Sequence, residues 1–414
     1  MNSGIRANLS QFVWLTVNVA LVGATLGVER TVVPLLGHDV YHVAAAVSLM
    51  FISSFGLTKA LINMAAGRWS DRVGRLTVLR LGWIAGVPMV LILLTIHQWW
   101  AVIVANVFLG ANQGLAWTMT VTAQLDLVAP HERGLAMGIN EAMGYIGVAV
   151  ATIWAGALGQ GGHLQTRPFV LDAALVAIGG AMSFKVLRET RHPAPKQGNR
   201  VADTVPFGTI FADTTWRNPA LSSITAGGLI NKLADTAAWG VLPIYFASQH
   251  LTLATISLLS GIYGGVWGLG QFGTGVLSDR VGRKPLVVGG LTLLGGGMVA
   301  TVVVHGVADW GAMAVIMGMG MAMVYPVLNA AVADVAPAAE RGSVLGVYRL
   351  WRDGGYAIGG VILGPLVVMG GMRHAIELLG VLVLGVSALI GLRMPETHSP
   401  RGGRGTQDRS AEES

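Results

Sequence analysis

The chain has 414 residues, of which 53% are apolar and only 12% charged, about half the charged share of an ordinary soluble domain. No soluble core of this length hides so much apolar surface, so the bilayer must be the solvent for most of it, and 58 glycines suit close helix contacts in lipid. The absence of cysteine excludes disulfides, thiolate metal sites and cysteine nucleophiles.

A membrane-crossing helix takes roughly 20 mostly apolar residues. The first apolar run, from about Leu9 to Leu36, is too long for a signal-peptide core and is predicted to be a span near 10–35. Further spans are predicted near 43–67, 76–96, 99–125, 134–158 and 168–187. A second set follows near 219–247, 252–276, 285–304, 308–333, 342–369 and 372–392. The expected organisation is a six-helix bundle over 1–187, a polar, proline-bearing linker over 188–218, a second bundle over 219–393, and a disordered tail over 394–414. The fold class is therefore all-α and polytopic, with twelve transmembrane helices.

Basic residues orient these spans. Twenty Lys and Arg fall on the side holding the N-terminus and linker, against Arg167 and Arg373 opposite. That bias places both termini in the cytoplasm of a cell with its inner membrane crossed many times. It also accounts for the net charge of +6 without a nucleic-acid partner.

The chain repeats itself. Ser70-Asp-Arg-Val-Gly-Arg75 recurs as Ser278-Asp-Arg-Val-Gly-Arg283, an offset of 208 shared by Asp126 and Asp334 and by Glu132 and Glu340. Gly67, Asp71, Arg72, Gly74 and Arg75, with their counterparts Gly275, Asp279, Arg280, Gly282 and Arg283, resemble the signature loop of the major facilitator superfamily. The resemblance covers almost the whole chain and implies two pseudo-symmetric six-helix bundles enclosing a central substrate site. It also implies that Asp71 meets the positive N-terminal end of the eleventh helix when the inner side is closed. Arg72 and Arg75 are then expected to bind carboxylates or carbonyls on the same face, with Asp126 a partner. Gly67, Gly74 and their counterparts are read as turn positions where a side chain would clash.

Charges inside spans mark function by default. Arg30, Lys59, Lys232, Arg349 and Arg352 are predicted at membrane depth, as are Glu29, Glu141, Asp235 and Asp353. Helical spacing pairs Lys232 with Asp235 and Arg349 with Asp353. The superfamily pattern implies that Glu29 and Arg30 face Lys232 and Asp235, and that Lys59 reaches Asp353 across the two halves. Asn112 and Gln113, with Trp117, Asn231, Trp239, Tyr263, Trp267, Tyr325 and Asn329, are read as cavity-lining groups suited to a small organic ligand. Glu29, Asp235 and Asp353 are the carboxylates expected to exchange a proton.

These readings converge on a secondary carrier working by alternating access, in which proton-coupled efflux of drugs or metabolites leads and uptake of an anionic metabolite is the alternative. Two departures weaken drug export: Gly110 stands where such exporters carry Arg, and the fifth helix lacks their Gly-Pro pair. From another class, a non-transporting sensor or scaffold would need an effector domain, and the linker and tail are short. No nucleophile–base pair points to an enzyme, no cofactor or metal is expected, and the methionines 313, 317 and 321 read as packing. The partners expected are the lipid bilayer and a small-molecule substrate, with the chain acting as a monomer.

Overall fold

The computed structural model describes residues 4–129, 132–190, 205–337 and 340–398. Most of the predicted linker and tail, at 191–204 and from 399 onward, lies outside the described residues. Every regular element among those described is helical. The first half comprises α1 (Leu9–Leu35), α2 (Met50–Val73), α3 (Arg75–Thr95), α4 (Trp99–Asn112, continued over Thr118–Leu127), α5 (Arg133–Leu158) and α6 (Arg167–Lys185). The second comprises α7 (Pro219–Thr236, continued over Leu242–Ser248), α8 (Leu253–Val281), α9 (Arg283–Thr301), α10 (Val307–Val335) and α11 (Arg341–Arg393).

Nine of the described helices are long and apolar enough to cross a membrane by length and composition. The prediction of twelve is compatible with this, because α11 runs for 53 residues and bends at Gly371, whose φ is 80°. The charge-bearing α2 and the interrupted α7 stand outside the nine. Local chemistry sets several ends. Asn218 accepts from the backbone N–H groups of Ala220 and Leu221, and Pro219 follows it, which together start α7. Both α4 and α7 carry a wide π turn, at Gln113–Trp117 and Ala237–Val241. In α7, Pro243 lacks the N–H that would close the preceding turn, so the helix widens there.

The second span differs from its prediction. The sequence places it near 43–67, with a loop beginning at Gly67, whereas α2 stays helical to Val73. Ser70 donates back to the Gly67 carbonyl, and Asp71 pairs with Arg75 one turn on, so the motif continues the helix. The turn is Gly74 alone, with φ of 99°, mirrored by Gly282 at 101°. Gly67 and Gly275 are not tight positions in this conformation, since a Cβ on either would meet nothing within 4 Å.

Within the first half, α1 and α5 touch backbone to backbone: a Cβ on Gly23 would overlap the Gly144 carbonyl, and one on Gly147 the Ala20 carbonyl. The two halves meet in the same way, but on one side only. At α5–α8 a Cβ on Gly156 would overlap Ser257, and at α2–α11 one on Gly56 would overlap Tyr356. Those contacts lie on the far side, away from the linker. Toward the linker, Gly67, Gly138, Gly275 and Gly346 have open space around them. The hydrogen bonds recorded between halves join Arg30 to Asp235, Ser53 to Ala357, Asn63 to Asp353, Lys232 to Tyr145 and Trp239 to Glu29. None of these falls closer to the linker side than Asn63 and Asp353.

Candidate functional site

A charged cluster occupies the interface where the halves cease to touch. Asp235 on α7 is its centre and is fully buried. The Arg30 guanidinium from α1 donates to both its oxygens, at 2.8 and 2.7 Å. The hydroxyls of Tyr263 on α8 and Tyr356 on α11 also donate to it, and Lys232 Nζ lies 3.7 Å away. Such a carboxylate has its lone pairs filled, which is what a buried charge requires. Lys232 donates to Tyr145 and Tyr356 and sits over the rings of Trp267 and Tyr325, at 4.3 and 4.6 Å. Tyr145 stacks on Trp267 across the halves, with centroids 3.6 Å apart. The π turn of α7 delivers Trp239, which donates to the Glu29 carbonyl and packs on Phe55 and Tyr356.

Arg352 on α11 donates to both oxygens of Asp353, at 2.9 and 2.8 Å, and Asn63 on α2 donates to the same carboxylate. Lys59 lies 5.4 Å from the Phe55 and Trp117 rings and makes no ion-pair contact among the described residues. Trp117, carried by the π turn of α4, donates to Glu141 on α5 at 3.1 Å. Glu141 and Arg349 are half-buried on the linker side of the cluster.

Several of the pairings expected from helical spacing and family pattern are rearranged. The spacing rule paired Arg349 with Asp353, but Arg352 takes that role. Arg352 is 5% exposed and needs a counter-charge, whereas half-buried Arg349 can be hydrated. Asp353 receives Asn63 from α2 where Lys59 was expected. Glu29 does not join Asp235: its carboxylate turns toward the Asn106 amide on α4, and no cation meets it among the described residues. Asn112 and Gln113 point away from the cluster, donating to the Gly82 and Val22 carbonyls and tying α4 to α3 and α1.

The duplicated motif forms the same cluster twice. Arg75 bonds Asp71 and Asp126 at 2.6 and 3.2 Å, and Arg283 bonds Asp279 and Asp334 at 2.7 and 3.0 Å. Asp71, Arg72, Asp279 and Arg280 are exposed on the linker side, and Asp71 is 66% so. A Cβ on Gly342, at the start of α11, would meet nothing within 4 Å among the described residues, as expected with that side apart.

Sequence reasoning missed Glu189 and Glu396. Each accepts from two backbone N–H groups at the start of a helix: Arg75 and Leu76 for Glu189, Arg283 and Lys284 for Glu396. A second signal was present, since Glu-Thr at 189–190 recurs at 396–397. It also missed Asp172 on α6, fully buried beside Glu29 with both oxygens unpartnered among the described residues.

The chain matches the Major Facilitator Superfamily over residues 9–230 and again over 224–412. It is 23% identical over 373 residues to the staphylopine export protein of Staphylococcus aureus (strain Mu50 / ATCC 700699), covering 88% of this chain and 91% of that one. Among solved structures it resembles the nucleoside transporter NupG, with TM-score 0.72 and 16% identity over 92% of this chain and 98% of that one. A D-xylose–proton symporter gives 0.71 and 15% over 94% and 99%. These two likenesses show the fold.

Proposed function

The chain belongs to the major facilitator superfamily of membrane transporters, and we propose that it carries a small organic solute out of the cell by alternating access, coupled to proton entry. The observation that carries this reading is the Arg30–Asp235 pair, which closes the far side directly over a charged cluster left open toward the linker. The bias of basic residues puts the linker and termini in the cytoplasm, so this conformation faces inward. A solute entering from the cytoplasm meets the cluster, and separation of the halves on the far side releases it. Export, as opposed to uptake, is supported by the relative whose printed name is that of an export protein.

Proton coupling rests on Glu29. Asp235 and Asp353 are each bound bidentately by arginine, whereas Glu29 meets no cation among the described residues, faces the Asn106 amide, and lies next to the residue that makes the far-side lock. A buried carboxyl without a counter-charge is the group best placed to carry a proton through the cycle. A second reading, movement of an anionic metabolite, is favoured by one feature: five cations in the cluster against the carboxylates of Glu141, Asp235 and Asp353.

Purified protein in vesicles with an internal pH dye tests the coupling. A transported solute should evoke proton movement in wild type. Glu29→Gln should lose that movement while still exchanging solute for solute. Proton movement unchanged in Glu29→Gln would remove Glu29 from the mechanism.

A further inference from the structure

A cavity of about 350 Å³ lies outside the charged cluster, between α3 and α6, and every residue lining it is apolar. The sequence of α6 makes it a trough: Ala173, Ala177, Gly180 and Ala181 recur at helical spacing and are too small to fill the space against α3. Trp83 is its floor. It is 1% exposed, takes the room that a side chain on Gly179 would need, and donates to Asn18 at 3.2 Å. The rim is Ile84, Val87, Leu91 and Phe184, each about half exposed, so the trough opens sideways toward lipid. Positions 84, 87 and 91 of that rim continue one stripe of α3 that begins at Arg80. The Arg80 Nε donates to the Ser183 carbonyl at 3.1 Å, and its guanidinium lies 4.8 Å from the centre of the Phe184 ring. A cation is thereby fixed at the linker-side end of the trough, and it makes no ion pair among the described residues. Lys185 and Arg188 are exposed beside it, while the adjacent Glu189 is occupied by the N–H groups of Arg75 and Leu76.

We propose that this trough binds one anionic phospholipid of the linker-side leaflet, with an acyl chain along the trough and the phosphate on Arg80. From Arg80 to Leu91 the helix rises about 16 Å, roughly half of a hydrocarbon core about 30 Å thick. The trough therefore runs from one membrane surface to the midplane, the depth of a single leaflet, and the basic-residue bias makes that leaflet the cytoplasmic one. Arg80 offers a planar fork to phosphate oxygens, and Lys185 and Arg188 add positive charge around the headgroup. A zwitterionic headgroup brings its own cation to the same place, so a net negative lipid is preferred. A partner helix in the trough would set Arg80 against apolar surface without a counter-charge. Free phosphate would leave the apolar trough without an occupant.

The test uses the full-length protein in nanodiscs doped with phosphatidylglycerol or phosphatidylcholine bearing the same photoreactive acyl chain, the crosslinked peptides being mapped by mass spectrometry. Peptides of α3 and α6 that line the trough should take up the phosphatidylglycerol about fivefold more than the phosphatidylcholine. Arg80→Gln should bring the two lipids level. Arg80→Lys should keep most of the difference, because a point charge still binds phosphate although the planar contact with Phe184 is lost. Ala177→Phe should lower labelling of these peptides by either lipid, whereas Ala174→Phe, of equal bulk on α6 but outside the trough, should leave it at the wild-type level. Equal labelling of wild type by the two lipids marks ordinary surrounding lipid and would overturn the proposal. So would an undiminished phosphatidylglycerol excess in Arg80→Gln, unchanged labelling in Ala177→Phe, or no labelling of these peptides, as a protein covering the trough would produce. None of these readouts depends on transport, so the site stands or falls separately from the function proposed above.

Discussion

Replacing Asp235 by Asn removes the negative charge of the far-side lock and one of its two acceptor oxygens, and leaves its donors in place. Arg30 is 3% exposed, and its two N–H···O bonds to Asp235 are the only hydrogen bonds recorded for its side chain among the described residues. Removing one member of a buried pair costs about 3–5 kcal/mol, because the other charge stays uncompensated. The cost falls on the conformation closed at the far side, since opening admits water to Arg30. At about 1.4 kcal/mol per factor of ten, the lower figure already moves the closed-to-open ratio by about a hundredfold. Ser257 reports this shift. It is fully buried where α8 meets Gly156 of α5, and the chain has no cysteine of its own, so Ser257→Cys is a clean single label site. An impermeant maleimide added outside should modify Ser257→Cys slowly in the parent and far faster beside Asp235→Asn. Adding Arg30→Gln should reverse part of the gain, because both charges are then gone. If Asp235→Asn labels at the parent rate while the protein remains folded, the pair does not hold the gate.

Other outcomes follow from the same geometry. Gly147→Ala should lower stability by about 1–3 kcal/mol, seen as a reduced thermal midpoint, because its Cβ would overlap the Ala20 carbonyl in the α1–α5 contact. Gly156→Ala places the same intrusion between the halves, so it should leave the midpoint closer to wild type and instead increase labelling at the α5–α8 contact; the reverse pattern would contradict the assignment of that contact to the gate. Asp71→Asn should cripple transport while membrane insertion, followed by fractionation, stays normal; unimpaired transport would reduce the motif to a basic loop. Glu29→Gln should uncouple solute movement from a pH gradient in the vesicle assay described above.

How much of this was written in the sequence depends on the distance over which each feature acts. The apolar runs and the 208-residue offset are local or periodic, and they carried the helical architecture and the paired arginine clusters at Arg75 and Arg283. The Lys232–Asp235 neighbour relation was legible because one helical turn dictates it. Which arginine Asp353 takes was not, because that choice turns on burial: the helix buries Arg352 and leaves Arg349 half exposed. Arg30 reaches Asp235 across 205 residues, a meeting set by how two bundles dock; the superfamily pattern implied it, and local spacing alone did not. Asn112 and Gln113 were equally ambiguous, since an amide in a lipid-embedded helix can line a cavity or fasten a neighbouring backbone, and here the amides do the second. The tyrosines were the quietest signal. Nothing in the sequence distinguishes Tyr145 and Tyr356, which bond Lys232, from aromatics that only pack.

The central claim is that the two halves rock about the charged cluster, opening one side as the other closes. Paired spin labels in a bilayer measure this directly. Leu135 on α5 and Leu277 on α8 are exposed on the linker side, and Trp154 and Leu258 are exposed on the same two helices at the far side. As pH and solute are varied, the account predicts two distance populations at each pair, with the far-side distance lengthening as the linker-side distance shortens. Distances that stay single and fixed at both pairs, or that lengthen together, would contradict it.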